Sequence, residues 1–148
     1  NAFAAWLLES LGEDRSPVQK SDGWNGMLVH IDSEGAQIVD ELKPMKNEIV
    51  VNKTTDSVTT GTNYLQLLQF MGIETVVVTG IVTDQCVAST VRGLADAGLK
   101  VICVEDACAA ACMELHEAEL KIMSVIYCDV LTTEETVALI QQSIGRAE

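Results

Sequence analysis

Cys86 and Lys53 are the residues whose types and surroundings could do chemistry together. A cysteine attacks as its thiolate, and Cys86 follows Gly80-Ile81-Val82-Thr83-Asp84-Gln85, a short connection into a segment with Val87, Val91, Leu94 and Ala95 at helical spacing. Cys86 is thus expected in the first turn of a helix, with Thr83 or Asp84 as its cap. A helix N-terminus carries about half a positive charge and favours a thiolate, and its unpaired backbone N–H groups can hold the oxygen of an attacked carbonyl. A cysteine in a helix also serves as plain packing, and position alone leaves both readings open. Lys53 ends the run Ile49 to Asn52, read as a strand that delivers its ammonium to the C-terminal edge of a sheet, where sites of parallel sheets form. Most lysines are solvated surface charges, so the strand carries that reading.

The elements around these residues follow from the spacing of apolar side chains. Thr75 to Thr79 is a β-branched run that reads as a strand buried on both faces, ended by Gly80. Ala97-Gly98 stops the helix after Cys86, and Val101 to Val104 is the next strand, closing a parallel strand–helix–strand unit. Upstream, Gly61-Thr62-Asn63 opens a helix with Leu65, Leu68 and Met71 on one side and Gly72 as its stop. Asp56 and Ser57, in the loop after Lys53, are rim residues without an assigned role, although turnover without an upstream aspartate would require Asp84 or Asp56 as the base. Downstream come an amphipathic helix over Met113 to Met123 carrying a solvated His116, and a strand over Ile122 to Tyr127. A last helix follows, capped by Thr132 or Thr133 with Glu135 completing a capping box, and with Val137, Leu139, Ile140 and Ile144 toward the core. Near the start, Asn1 to Leu11 reads as a short helix, Glu13 to Asn25 as a loop and Met27 to Ile31 as a weak extended segment. Alternating strands and helices give an α/β layered fold with a mainly parallel sheet.

The segment Gly80 to Arg92 closely resembles the nucleophile segment of the isochorismatase-like cysteine hydrolases, the superfamily of nicotinamidases, N-carbamoylsarcosine amidases and ureidoacrylate and biuret hydrolases. The likeness extends through Asp40-Glu41-Leu42-Lys43-Pro44, Val50 to Ser57 and Val104 to Ala110, covering about Trp24 to Ile140. It implies a three-layer α/β/α, Rossmann-like fold and a hydrolase of small amides, ureides or related C–N bonds working through a thioester. In that reading Cys86 is the nucleophile, Lys53 the catalytic lysine, and the backbone N–H groups of Val82 and Cys86 the oxyanion hole, shaped by a cis peptide near Ile81-Val82. Trp24 is a weak candidate for the wall of a substrate pocket and equally a loop residue closing onto the core. Family members begin with a strand ending in a catalytic aspartate. Asp14, Asp22, Asp32 and Asp40 all lie in polar or turn-like surroundings here, so residues 1–148 are expected to be one isochorismatase-like domain, N-terminally incomplete, without that aspartate. A catalytically silent binding or assembly module of the same fold is the alternative. Isochorismate-type vinyl ether hydrolysis is a further one, disfavoured because those relatives work without a cysteine at this position.

A chain of 148 residues, 48% hydrophobic, suits one domain able to bury roughly 70% of its unfolded surface. The net charge of −13 opposes binding to nucleic acid or to an anionic membrane, both of which call for a basic patch. No apolar stretch reaches the ~20 residues of a membrane span. Cys86, Cys103, Cys108, Cys112 and Cys128 are an odd set without a CxxC pair, which fits a reduced compartment, and a cytoplasmic location is expected. Cys108 and Cys112 stand four apart and could share a helix face, although packing is the better reading. Only His30 and His116 are present, and Leu28-Val29-His30-Ile31-Asp32 does not supply the Asp-x-His set of the metal-binding relatives, so neither a metal nor another cofactor is expected. The expected partners are a small-molecule amide or ureide substrate and further copies of the chain in a homo-oligomer.

Overall fold

A computed structural model describes residues 37–145. Two units divide the chain, Asn1–Ile49 and Val50–Glu148. The described part of the first holds a 3-10 turn at Asp40–Leu42, where Lys43 pairs with Asp40, and a turn in which the Met45 N–H donates to Glu48 at 2.8 Å. Trp24, His30 and the elements expected over Asn1 to Ile31 lie outside the described residues.

The second unit carries a wholly parallel three-stranded sheet, ordered β1 (Thr75–Ile81), β2 (Lys100–Ala109), β3 (Asp129–Leu131). Its helices are α1 (Tyr64–Phe70), α2 (Ala88–Asp96), α3 (Met113–Met123) and α4 (Thr133–Ile144). The fold is the expected α/β arrangement with parallel strands joined through helices. Val87, Val91 and Leu94, at i, i+4 and i+7, are all buried and lock α2 onto the sheet through Val78, Val101 and Cys103. Burying each such aliphatic side chain is worth about 1.5–3 kcal/mol. Gly98, at φ 86°, and Gly72, at φ 66°, supply left-handed turns after α2 and α1, as the helix stops at both sites require.

Several expectations are corrected. β1 runs past Gly80 to Ile81 and buries only Val78; among the described residues it is an edge strand, paired to β2 alone, so one flank of the β-branched run lacks a covering neighbour. β2 extends well beyond Val104 because its register slips: Val78 pairs with Cys103 but Gly80 pairs with Cys108. No ladder forms at Ile49 to Asn52, where Ile49 and Val50 are 53% and 58% exposed. The run Ile122 to Tyr127 is the end of α3 and a turn rather than a strand. Met123 fills the core, its carbonyl accepts from the Tyr127 and Cys128 N–H groups, and the ladder with β2 begins only at Asp129. Met71 and the α4 residues Val137, Leu139, Ile140 and Ile144 are exposed, and Thr136 is the buried residue of α4. Cys108 lies in β2 and Cys112 is the N-cap of α3, so they share no helix face.

The α4 start forms as the sequence requires. Thr132 accepts from the Glu135 N–H while Glu135 accepts from the Thr132 N–H, and Asp106, from the excursion in β2, accepts from the Thr133 N–H and hydroxyl at 2.7 Å each. Hydrogen bonds from Thr133 hold Asp106 below the usual carboxylate range, and those from Thr132 do the same for Glu135.

Candidate active site

The chain leaves β1 through a cis peptide between Ile81 and Val82, at the place the resemblance implied. It then makes a wide turn, Thr83–Val87, in which the Val82 carbonyl accepts from the N–H groups of both Gln85 and Val87 at 3.1 Å. This is a π-turn, with α2 proper starting at Ala88. Cys86 therefore sits one turn before the regular helix, half-buried, while its neighbours Val87 and Ala88 anchor in the core. Such wide turns recur at functional sites because the extra residue re-aims a side chain.

Neither Thr83 nor Asp84 caps the helix. Thr83 is fully buried and its hydroxyl is hydrogen bonded to His116 Nδ1 at 2.8 Å. That contact corrects the solvated reading of His116, which is 8% exposed and fastens α3 beneath the nucleophile turn. Asp84 Oδ1 is buried without a hydrogen-bond partner. Arg92, on α2, reaches Glu119 on α3 at 2.5 Å and lies over the Tyr127 ring at 5.3 Å, tying the two helices together.

The Cys86 thiol donates to Asp56 Oδ1 at 3.6 Å. Asp56 belongs to a loop dense in hydroxyl contacts. The Thr55 hydroxyl donates to the carbonyls of Ser57 and Thr60 at 2.9 Å, and Ser57 and Thr59 share a hydrogen bond of 2.7 Å. The loop docks on α2 at two points. The Val58 N–H donates to the Thr90 hydroxyl at 3.3 Å, and Thr59 packs onto Gly93 so closely that any Cβ there would meet the Thr59 hydroxyl. Gly93 thus admits the loop, and the loop presents Asp56 to the cysteine.

Lys53 lies three residues before Asp56 on the same segment. Its ammonium donates to the Thr55 carbonyl at 2.8 Å and is solvent-exposed. The structure therefore brings Cys86, Val82 and Asp56 together at the C-terminal end of β1, while Lys53 is exposed on the segment that leads to Asp56. From the sequence Asp56 is a rim residue and, beside Asp84, a substitute base should the chain turn over without the family's aspartate. The Lys-x-x-Asp spacing was visible, but the docking at Thr90 and Gly93 that brings the carboxylate to the thiol involves pairing across more than thirty residues. Among the described residues no group of His, Cys, Asp and Glu side chains could hold a metal ion, and no helix is long and apolar enough to cross a membrane.

Residues 8–135 match the model of the isochorismatase domain, a span that begins upstream of Trp24 and stops short of Ile140. The chain is similar to the uncharacterized isochorismatase family protein YrdC of Bacillus subtilis, at 31% identity over 74% of this chain and 65% of that protein. It is also similar to the ureidoacrylate amidohydrolase RutB of Pseudomonas savastanoi, at 45% identity over 51% of this chain and 31% of that one. Among solved structures, an isochorismatase-like hydrolase from Alkaliphilus metalliredigens superposes with a TM-score of 0.70 at 32% identity, covering 73% of this chain and 60% of that one. The chain thus spans less than two thirds of each of these three proteins.

Proposed function

The chain belongs to the isochorismatase family, and on that premise we propose that it is a cysteine-dependent hydrolase of a small amide, ureide or related C–N bond. The observation that carries this reading is the Cys86 thiol aimed at the Asp56 carboxylate in the turn between β1 and α2. Asp56 takes the thiol proton and Cys86 sulfur attacks the substrate carbonyl carbon. The backbone N–H groups of Val82 and Cys86 hold the oxygen as its charge develops. Collapse of the tetrahedral adduct breaks the C–N bond, and Asp56 returns its proton to the leaving nitrogen. Water, deprotonated by the same carboxylate, then cleaves the thioester to the free acid. Lys53, on the segment that leads to Asp56, contributes positive charge toward the carbonyl oxygen. The ureidoacrylate amidohydrolase among the relatives supports the C–N bond as the target. The acidic surface favours neutral or cationic substrates.

The test follows ammonia release from a panel of small amides and ureides, with mass spectrometry of the quenched protein. An acyl adduct on the peptide bearing Cys86, and loss of turnover on the order of 10³-fold or more in Cys86→Ala, are expected. Turnover that survives Cys86→Ala would overturn the assignment, and a folded protein that neither turns over nor acylates with any member of the panel would mark a binding module instead.

A further inference from the structure

Cys103, Cys108 and Cys128 gather at the sheet's register slip, with Cys103 paired before it and Cys108 after it. Cys103 is fully buried in the core, and the half-buried Cys108 and Cys128 pack against the same cluster. The Cys103 and Cys108 sulfurs stand 4.0 Å apart. Five residues along an ordinary strand would separate them by about 17 Å. The slip removes that separation: β2 advances from Cys103 to Cys108 while β1 advances only from Val78 to Gly80, and residues 105–107 bulge out between them after Val104, which stays buried and paired with Leu131. A core position needs one small apolar side chain there; two thiols in register contact offer chemistry that packing alone does not require.

We propose that Cys103 and Cys108 form a reversible dithiol–disulfide site, in which a hydroperoxide or a small-molecule disulfide reacts at Cys108 and Cys103 resolves the product. With a hydroperoxide, the Cys108 thiolate attacks one peroxide oxygen, the O–O bond breaks and an alcohol or water leaves, giving a sulfenic acid. Cys103 sulfur then attacks Cys108 sulfur; the hydroxyl leaves with the Cys103 proton as water, and the two thiols have supplied the two electrons that reduced the peroxide. With a small disulfide, Cys108 takes one half as a mixed disulfide and Cys103 expels it, so two small thiols are released per bridge. The roles follow from the surroundings. Cys108 is the more accessible sulfur, and the Cys103 S–H and the Gly80 backbone N–H both donate to it and lower its pKa. Cys103 is pushed far up by those same bonds to Cys108 and Cys128 and by burial, so it keeps its proton until the attack. Closing the bridge requires the sulfurs to approach to about 2.0 Å, a movement that the bulged residues 105–107 can absorb.

The experiment oxidises the whole chain with hydrogen peroxide and, separately, with oxidised glutathione, blocks remaining thiols with iodoacetamide in denaturant, and maps peptides without reduction. Cleavage after Arg92, Lys100 and Glu105 places Cys103 apart from Cys86 and from the fragment that holds Cys108 and Cys112, and fragmentation of the linked species assigns the bridge to Cys108 or Cys112. The linked pair is expected with either oxidant, with the four thiols other than the nucleophile Cys86 falling to two and returning on reduction. It should persist in Cys112→Ser and disappear in Cys108→Ser, whose folding is checked by circular dichroism. A bridge from Cys103 to Cys128, a bridge from Cys108 to Cys112, or oxidation that ends as an unresolved acid or glutathione adduct on Cys108 would each overturn the proposal. All of these outcomes are scored on the unmutated protein, so they stand whether or not a variant folds.

Discussion

The Cys86 turn and the Lys53 segment lie on the same unit but are held by opposite means. Cys86 is fixed from below, by Val87, Ala88, Val91 and Leu94 in the core and by Thr83 on His116. Lys53 sits on a segment without ladder bonds, preceded by exposed Ile49 and Val50, and its ammonium is satisfied by its own loop. Asp56 stands between these extremes: it is exposed, yet its loop is pinned to α2 through Thr90 and Gly93. The lesson is that the nucleophile inherits its precision from the core, the carboxylate from one close contact, and the lysine from neither.

That ordering can be broken by mutation. Asp56→Asn keeps the size of the side chain and removes its ability to take a proton, so turnover should fall by about 10²–10⁴-fold. Alkylation of Cys86 by iodoacetamide at neutral pH should slow as well. A variant as fast as the parent would show that the carboxylate touching the thiol is not its proton acceptor. Gly93→Ala comes next. Alanine is the better helix former by about 1 kcal/mol, so any loss must come from the contact with Thr59. Thr59 is β-branched and stiff, and it must shift to make room, lifting the loop. A displacement near 1 Å can cost about 10²-fold in turnover, read as kcat with Cys86 alkylation and circular dichroism as controls. Unchanged kcat would mean that Asp56 is positioned without the loop's seat on α2.

Lys53→Ala should cost about fivefold at most, and the loss should shrink further in salt, because an exposed charge is screened. A loss beyond about 10²-fold would show that the segment closes on substrate and would remove the contrast between the two regions. The smallest effect belongs to the α4 start. Asp106 and Glu135 titrate lower when folded than unfolded, so their contribution is complete above the unfolded carboxylate range and is lost as pH falls through the folded values. Thr132→Ala should lower Tm by roughly 2–4 °C at neutral pH, through loss of an N-cap worth about 1 kcal/mol. In Asp106→Asn the acid-induced decline in Tm should be shallower. If both proteins decline alike, the link from β2 to α4 is not what the acid breaks.

Much of this was legible in the sequence because it is local. The β-branched run at Thr75, the i, i+4, i+7 spacing of Val87, Val91 and Leu94, and the Thr132–Glu135 capping box each specify their element within one or two turns. The failures share a different cause. Ile122 to Tyr127 has strand-like side chains, but Met123 claims the core and carries that stretch into the end of a helix. His116 looked like one polar residue on a glutamate-rich helix, and its partner Thr83 is thirty-three residues away. The approach of Asp56 to Cys86 likewise depends on a glycine in another element, which no local pattern announces.

The register slip also bears on how new specificities could be engineered. The pair Ile81 and Ala109 closes the ladder between β1 and β2, so residues 110–112 depart from the sheet at the edge from which the nucleophile turn also leaves. Ala111 and Cys112 are exposed, and the next fixed point is α3, held through His116. Residues inserted between those anchors would alter no strand pair and no core side chain, since long surface insertions are tolerated far better than changes within packed elements. They would rise beside Cys86 and change the size and polarity of what can reach it. This edge is therefore the natural place to graft loop libraries, and a graft that preserves the melting temperature while shifting the preferred amide would be selecting on substrate alone.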